Sequence, residues 1–267
     1  MTRIAIVGAT GRMGRCLIKS AMLNTQITLT TVIARASSKE IGTDAGILAG
    51  IESTHIPVTD NLESKLSDFD VLVDFTHPEA SLKFIEICQM ENKKVVIGTT
   101  GFNQTQQDKI IGLSKEMAIV MSPNMSIGVN LTLKLLELTS QIIGEESDIE
   151  IIEAHHRHKI DAPSGTALRM GETIANSLNR NLKECAIYGR EGITGERNSK
   201  AIGFSTIRAG DIVGDHTVMF ANEGERIEIT HKASSRMTFA NGAIRAANWI
   251  SGKERGLFTM RDVLNLT

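Results

Sequence analysis

The chain has 267 residues, 41% hydrophobic and 22% charged, with a formal net charge of −2. That is enough apolar material for one large or two medium packed domains, and it argues against a protein that coats nucleic acid, so any basic site is local. The opening MTRIAIVGATG is not patterned as a secretory leader, and no apolar run approaches the roughly 20 residues of a membrane span. Cys16, Cys88 and Cys185 lie far apart in apolar or mixed segments, as reduced, packed thiols of a cytoplasmic protein do.

In chain order, RIAIVG (3–8) predicts a strand ending in glycine, and RMGRCLIKSAML a helix. ITLTTVIAR (27–35) and DVLVDFT (70–76) predict further strands, the latter followed by a helix with Pro78 in its first turn. KKVVIGTTG (93–101) and MAIVMSPN (117–124) are two more, separated by the polar helix NQTQQDKIIGLSKE. Strands that are almost continuously apolar and alternate with helices predict a doubly wound, Rossmann-like parallel sheet covered on both faces. After Asn124 the rhythm changes. A long apolar helix, the strand DIEIIEAHH, the helix SGTALRMGETIANSLN and the strands AIGFSTIRAG, DHTVMFAN and ERIEITHKA predict an α+β domain with a mixed sheet. The segment TFANGAIRAANWISG returns to helical spacing. The expected division is residues 1–126 with 236–267 for dinucleotide binding, and 127–235 for substrate binding and oligomerisation.

GATGRMG places Gly8, Gly11 and Gly14 between the first strand and the first helix. Glycines there permit a tight turn, close approach of backbone to a pyrophosphate, and close helix–strand packing. The helix N-terminus adds N–H groups and a positive dipole end. A tight turn without a ligand is the plainer alternative. The second strand ends in Ala34 and Arg35 without the carboxylate that usually binds NAD ribose hydroxyls, which tilts the expected cofactor to NADPH, with NADH as the alternative. GTTG and SPNM, at carboxyl ends of strands, offer small residues and exposed backbone to the nicotinamide side.

EAHHRHKIDAPSGTA (153–167) concentrates histidines and cations. If the strand stays extended, His155, Arg157 and Lys159 share one side, a titratable imidazole flanked by permanent cations, suited to protonating an anion. A metal site is disfavoured, because no cysteine is near and two cations oppose the ion. A solvated charged loop remains the plainer reading. Ser164 predicts an N-cap, with Gly165 and Thr166 opening a helix whose N-terminus favours a carboxylate.

GATGRMG, VIGTTGF, IEIIEAHHRHKIDAPSGTA, RAGDIVGDHTVMF and ITHKASSRMTFANGAIRAA together resemble the 4-hydroxy-tetrahydrodipicolinate reductase (dihydrodipicolinate reductase) family along essentially the whole chain. The resemblance implies NAD(P)H-dependent reduction of (2S,4S)-4-hydroxy-2,3,4,5-tetrahydrodipicolinate, a small dicarboxylate, in the diaminopimelate route to lysine. It implies that His155 is the proton donor/acceptor, Lys159 a second donor and His156 a substrate contact, with Gly165 and Thr166 on a carboxylate. Gly8, Ala9, Thr10, Gly11, Arg12 and Met13 would meet the cofactor phosphates, and Arg35 its adenosine ribose or 2′-phosphate. Gly98, Thr99 and Thr100 with Ser122, Pro123, Asn124 and Met125 would meet the nicotinamide side. It further implies a homotetramer, no metal, no nucleic acid and no membrane. Many bacterial members have an acidic residue where this chain has Ala34, which strengthens the NADPH expectation. A different dehydrogenase on the same fold, or a nucleotide sensor without turnover, would have no use for HHRHK followed by SGT.

Overall fold

The computed structural model describes residues 1–266, which run β1 (Thr2–Val7), α1 (Arg12–Met22), β2 (Ile27–Ile33), α2 (Ala45–Ala49), β3 (Val58–Thr59), a 3₁₀ turn (Glu63–Asp68), β4 (Val71–Asp74), α3 (Pro78–Met90), β5 (Lys94–Ile97), α4 (Gln104–Leu113) and β6 (Ala118–Met121). There follow α5 (Ile127–Ile143), β7 (Asp148–His155), α6 (Gly165–Ser177), α7 (Leu182–Cys185), β8 (Ala186–Ile187), β9 (Ile202–Arg208), β10 (Gly214–Asn222), β11 (Glu225–Ala233), α8 (Met237–Ile250), β12 (Gly256–Phe258) and α9 (Met260–Leu264). They form two compact units: Met1–Ile127 together with the chain from Arg236 onward, and Gly128–Ser235. No helix of the described residues is long and apolar enough to cross a membrane.

The first unit is built on a parallel sheet of order β12-β6-β5-β4-β1-β2-β3. Its strands are almost wholly apolar because both faces are covered. Ile4, Ile6, Val71 and Val73 pack with residues of α1, α2, α8 and α9, whereas Ala5, Val7, Leu72 and Ile97 pack against Ile85 and Cys88 of α3 and Ile110 of α4. Each fully buried Ile or Leu contributes roughly 1.5–3 kcal/mol. The chain leaves β1 for β2 on one side and later places β4 on the other. The strand order therefore reverses at β1, and the carboxyl end of β1, where open α/β sheets bind ligands, carries the glycine turn.

The second unit has a mixed sheet of order β11-β10-β7-β9-β8. β7 runs parallel to β9 and antiparallel to β10. Ile149, Ile151, Phe204, Val218 and Phe220 on one face pack against Met170 and Ile174 of α6 and Leu136 of α5. A tight hairpin at Glu223 and Gly224 joins β10 to β11, with Asn222 opposite Glu225 and Gly224 at φ +89°. β9 does not pair with β10, its successor in sequence, because β7 lies between them.

Candidate functional site

In the first unit the three glycines do distinct things. Gly8 adopts φ +69°, and a Cβ there would lie 2.7 Å from Thr76 Cγ2. A Cβ on Gly14 would lie 2.4 Å from the Gly8 carbonyl oxygen and 2.6 Å from Ala9 Cα, so α1 can seat on the turn only with glycine. Gly11 is the extended N-cap of α1, with no side chain capping the helix, and Arg15 N–H donates to its carbonyl. The N–H groups of Arg12, Met13 and Gly14 thus precede the first intrahelical acceptor. The Ala9 and Met13 side chains pack into the core, leaving backbone to face a ligand, while Thr10 is half-buried and Arg12 exposed. Arg15 is engaged, its Nη1 donating to the Leu48 carbonyl at 2.7 Å. These donors and clearances fit a pyrophosphate.

Arg35 is exposed just past β2, and Ala34 is buried with its N–H on the Thr59 carbonyl. Gly98 abuts the Phe75 ring, which occupies the space of a side chain (2.2 Å from an added Cβ), and Thr100 is exposed. Thr99 is buried, and sequence reasoning missed what it serves. Its Oγ1 accepts from Thr76 N–H (2.9 Å) and Ser81 Oγ (3.0 Å) beside the buried Asp74, whose Oδ1 accepts from Thr76 N–H (2.8 Å) and Thr76 Oγ1 (2.6 Å). Burial pushes the Asp74 carboxyl up despite those hydrogen bonds, and Oδ2 has no partner among the described residues. The knot ties the turns after β4 and β5 together. A carboxylate closing the apolar run DVLVD was the available signal. Ser122 is buried with its Oγ donating to the Asn124 carbonyl (2.9 Å), and Asn124 Oδ1 accepts from Ser126 N–H (2.9 Å). Pro123 is exposed, and the Met125 side chain lies in the core.

In the second unit the extended reading of 155–159 is corrected. β7 ends at His155, and the chain turns, with Lys159 N–H on the His156 carbonyl (3.1 Å) and Arg157 N–H on the Gly210 carbonyl (3.2 Å). The reason is that the ladder runs out. β9 ends at Arg208, the residue paired with His155, and β10 begins only at Gly214. His155 is nevertheless held firmly. It is 8% exposed, with Nδ1 2.6 Å from Oε2 of Glu153, a residue only 1% exposed. That carboxylate also accepts from Arg208 Nη1 (2.8 Å), Arg208 Nη2 (2.9 Å) and Ser164 N–H (3.0 Å). Burial pushes Glu153 up, but the hydrogen bonds from Arg208, His155 and Ser164 prevail and hold it below the usual carboxylate range. Gly214 keeps the space beside His155 Nε2 clear, since a Cβ would approach to 3.0 Å.

His156 and Lys159 are half-buried, and Lys159 Nζ grips both carboxylate oxygens of Asp161 at 2.8 Å. Hydrogen bonding from Lys159 lowers Asp161. Ser164 caps α6, its Oγ accepting from Ala167 N–H (3.1 Å) and lying 2.9 Å from His216 Nε2. Gly165 and Thr166 open that helix. Glu153, Arg208, His216 and Gly214 were not singled out in the sequence. Only Glu153 had a signal, because the alternation of IEIIEAH puts it on the same buried face as Ile149, Ile151 and His155.

Burial, then the neighbouring His155, pushes His216 down to about 4 from an ordinary 6.5. The folded chain keeps this imidazole neutral where an unfolded chain takes up a proton. Stability from it is therefore full above about pH 6.5 and is lost as pH falls toward 4. Between pH 7 and 5 the second unit should lose about 2 kcal/mol on this account. Urea midpoints at the two pH values check it, since His216→Gln should flatten the difference and an unchanged difference refutes the assignment.

Backbone donors at a switch point in one unit, and a proton carrier among cations in the other, are what a reductase working with a nicotinamide nucleotide requires. That is the class to which the chain belongs. The family model described as "Dihydrodipicolinate reductase, N-terminus" matches residues 2–125, and "Dihydrodipicolinate reductase, C-terminus" matches 128–264. A 4-hydroxy-tetrahydrodipicolinate reductase from Methylococcus capsulatus is 59% identical over 264 residues, covering 99% of this chain and 98% of that one. The dipicolinate-bound dihydrodipicolinate reductase of Paenisporosarcina sp. TG-14 superposes with a TM-score of 0.77 at 26% identity, covering 97% of each chain. A probable dehydrogenase from Thermotoga maritima shares the fold alone, with a TM-score of 0.62 at 10% identity, covering 99% of this chain and 93% of that one. The chain belongs to the dihydrodipicolinate reductase family.

Proposed function

We propose that the chain reduces (2S,4S)-4-hydroxy-2,3,4,5-tetrahydrodipicolinate to (S)-2,3,4,5-tetrahydrodipicolinate and water, at the expense of NADPH in preference to NADH, on the diaminopimelate route to lysine. The observation that carries the reading is His155, fixed through Nδ1 by a buried carboxylate, in the same unit as Lys159 and the opened N-terminus of α6. When bound, the nucleotide supplies the hydride. The chain's own groups do the rest. His155 and Lys159 hold and deliver protons, His156 contacts the ring, and Gly165 with Thr166 receives a carboxylate at the helix N-terminus. The dipicolinate bound to the Paenisporosarcina relative supports a ring with two carboxylates as ligand. Gly8, Ala9, Thr10, Gly11, Arg12 and Met13 cradle the phosphates. Gly98, Thr99, Thr100 and Ser122, Pro123, Asn124, Met125 border the nicotinamide, largely through backbone.

The test is loss of NADPH absorbance when the chain meets freshly made dihydrodipicolinate synthase product, with competitive inhibition by pyridine-2,6-dicarboxylate. No consumption of NADPH sinks the reading. The preference for NADPH rests on exposed Arg35 beside buried Ala34. A charge-assisted pair with a 2′-phosphate is worth about 1.5–3 kcal/mol, so Arg35→Ala should raise the KM for NADPH about tenfold or more and barely alter that for NADH. Equal losses remove Arg35 from this role. We further place the enzyme in the cytoplasm as a homotetramer assembled through the face of the mixed sheet that α5 and α6 leave uncovered, which light scattering in solution tests.

A further inference from the structure

Three features given separate roles above converge on a single buried carboxylate. Glu153 accepts from His155 Nδ1 and from the N–H of Ser164, the cap of α6. Arg208 forks onto both of its oxygens. The same guanidinium then reaches out of the sheet, Nη2 donating to the Asp161 carbonyl at 2.5 Å, and Asp161 is the residue whose carboxylate grips Lys159. His155, Lys159 and the N-terminus of α6 are thus tied to the Glu153–Arg208 pair and through it to one another.

Burying an ion pair is a costly way to fill space, and an apolar pair of the same volume would fill it without desolvating charge. What an apolar pair lacks is an acceptor. Ionised Glu153 accepts only, so Nδ1 must carry the proton, and Nε2, beside the space left by Gly214, becomes the atom that gains and loses one. Arg208 is suited to its place because its rigid fork serves Glu153 and Asp161 at once, which the single ammonium of a lysine does not. The charged and titratable groups around His155 are Glu153 on its own strand, Arg208 paired with it on β9, and His216 on β10, whose imidazole in turn interacts with Lys159.

We propose that Glu153 and Arg208 are positioning residues for proton delivery, Glu153 fixing the working tautomer of His155 and Arg208 locking the Lys159 turn and the α6 N-terminus to it. The proposal rests on the proton-transfer roles given above to His155 and Lys159. Its test uses Glu153→Gln and Arg208→Lys, each alone and combined with His155→Gln, with kcat, substrate KM and NADPH binding measured on the full chain. In Glu153→Gln the single remaining oxygen serves Arg208, so the new amide NH₂ turns toward Nδ1 and imposes the wrong tautomer. Glu153→Gln should therefore lower kcat at least about tenfold in the parent, yet less than about threefold on top of His155→Gln. Arg208→Lys, which keeps the charge, should lower kcat in both backgrounds because the Lys159 turn is released as well. NADPH binding should be unchanged throughout. Equal losses from Glu153→Gln in both backgrounds, or Arg208→Lys within about threefold of the parent, would overturn the proposal. If His155→Gln alone leaves kcat intact, the failure is that of the proton-transfer reading.

Discussion

Replacing His155 by Gln lowers kcat by about 10²- to 10⁴-fold, the range that general-acid help supplies, and leaves NADPH binding close to that of the parent. The split follows from where the residue sits. His155 closes β7 in the second unit, while the glycine turn, Arg35 and the Gly98–Thr100 turn all belong to the first. Glutamine nearly conserves volume and can still hydrogen-bond Glu153, so the fold has little reason to suffer, but an amide neither stores nor releases a proton near neutrality. Steady-state rates followed by NADPH absorbance, with binding measured separately, decide it. A kcat within about threefold of the parent assigns the acid elsewhere.

That prediction depends on residues with unequal visibility in the sequence. The parallel sheet was plain because both of its faces are buried, which forces runs such as RIAIVG and KKVVI to be apolar at nearly every position. β3, β8 and β12 were not, because two or three residues carry no period to read. His155 and Lys159 stood out by composition alone. Their geometry did not, because the end of a strand is set by its neighbours. The rungs that hold His155 come from β9, about fifty positions away, in a parallel pairing that nothing local encodes. Arg208 was hidden for the same reason. Within its own segment it is a strand-end arginine, and only register with His155 puts it behind Glu153.

Gly242→Ala should destabilise the first unit and weaken the nucleotide site together, although helix propensity alone predicts the opposite. Gly242 lies inside α8, where Ala would ordinarily be favoured by about 1 kcal/mol. Yet its Cβ would fall 1.7 Å from the Met125 carbonyl oxygen and 2.8 Å from the Met125 carbonyl carbon, which are backbone atoms with no rotamer to escape into. Overpacking of this kind costs about 1–3 kcal/mol or more, which outweighs the propensity gain. Relief requires Met125 to move, and Met125 follows directly on the Ser122–Asn124 turn, which is closed by Ser122 Oγ on the Asn124 carbonyl. The expected result is a lower Tm together with a several-fold higher KM for NADPH and a kcat that falls less. Gly112→Ala is the control. It sits in α4 with nothing within 4 Å of an added Cβ, so it should stabilise by about 0.4–1 kcal/mol and leave KM alone. If the two substitutions shift Tm alike, the close approach of α8 to Met125 does not govern this site, and the positioning of Ser122, Pro123 and Asn124 must come from the β6 ladder alone.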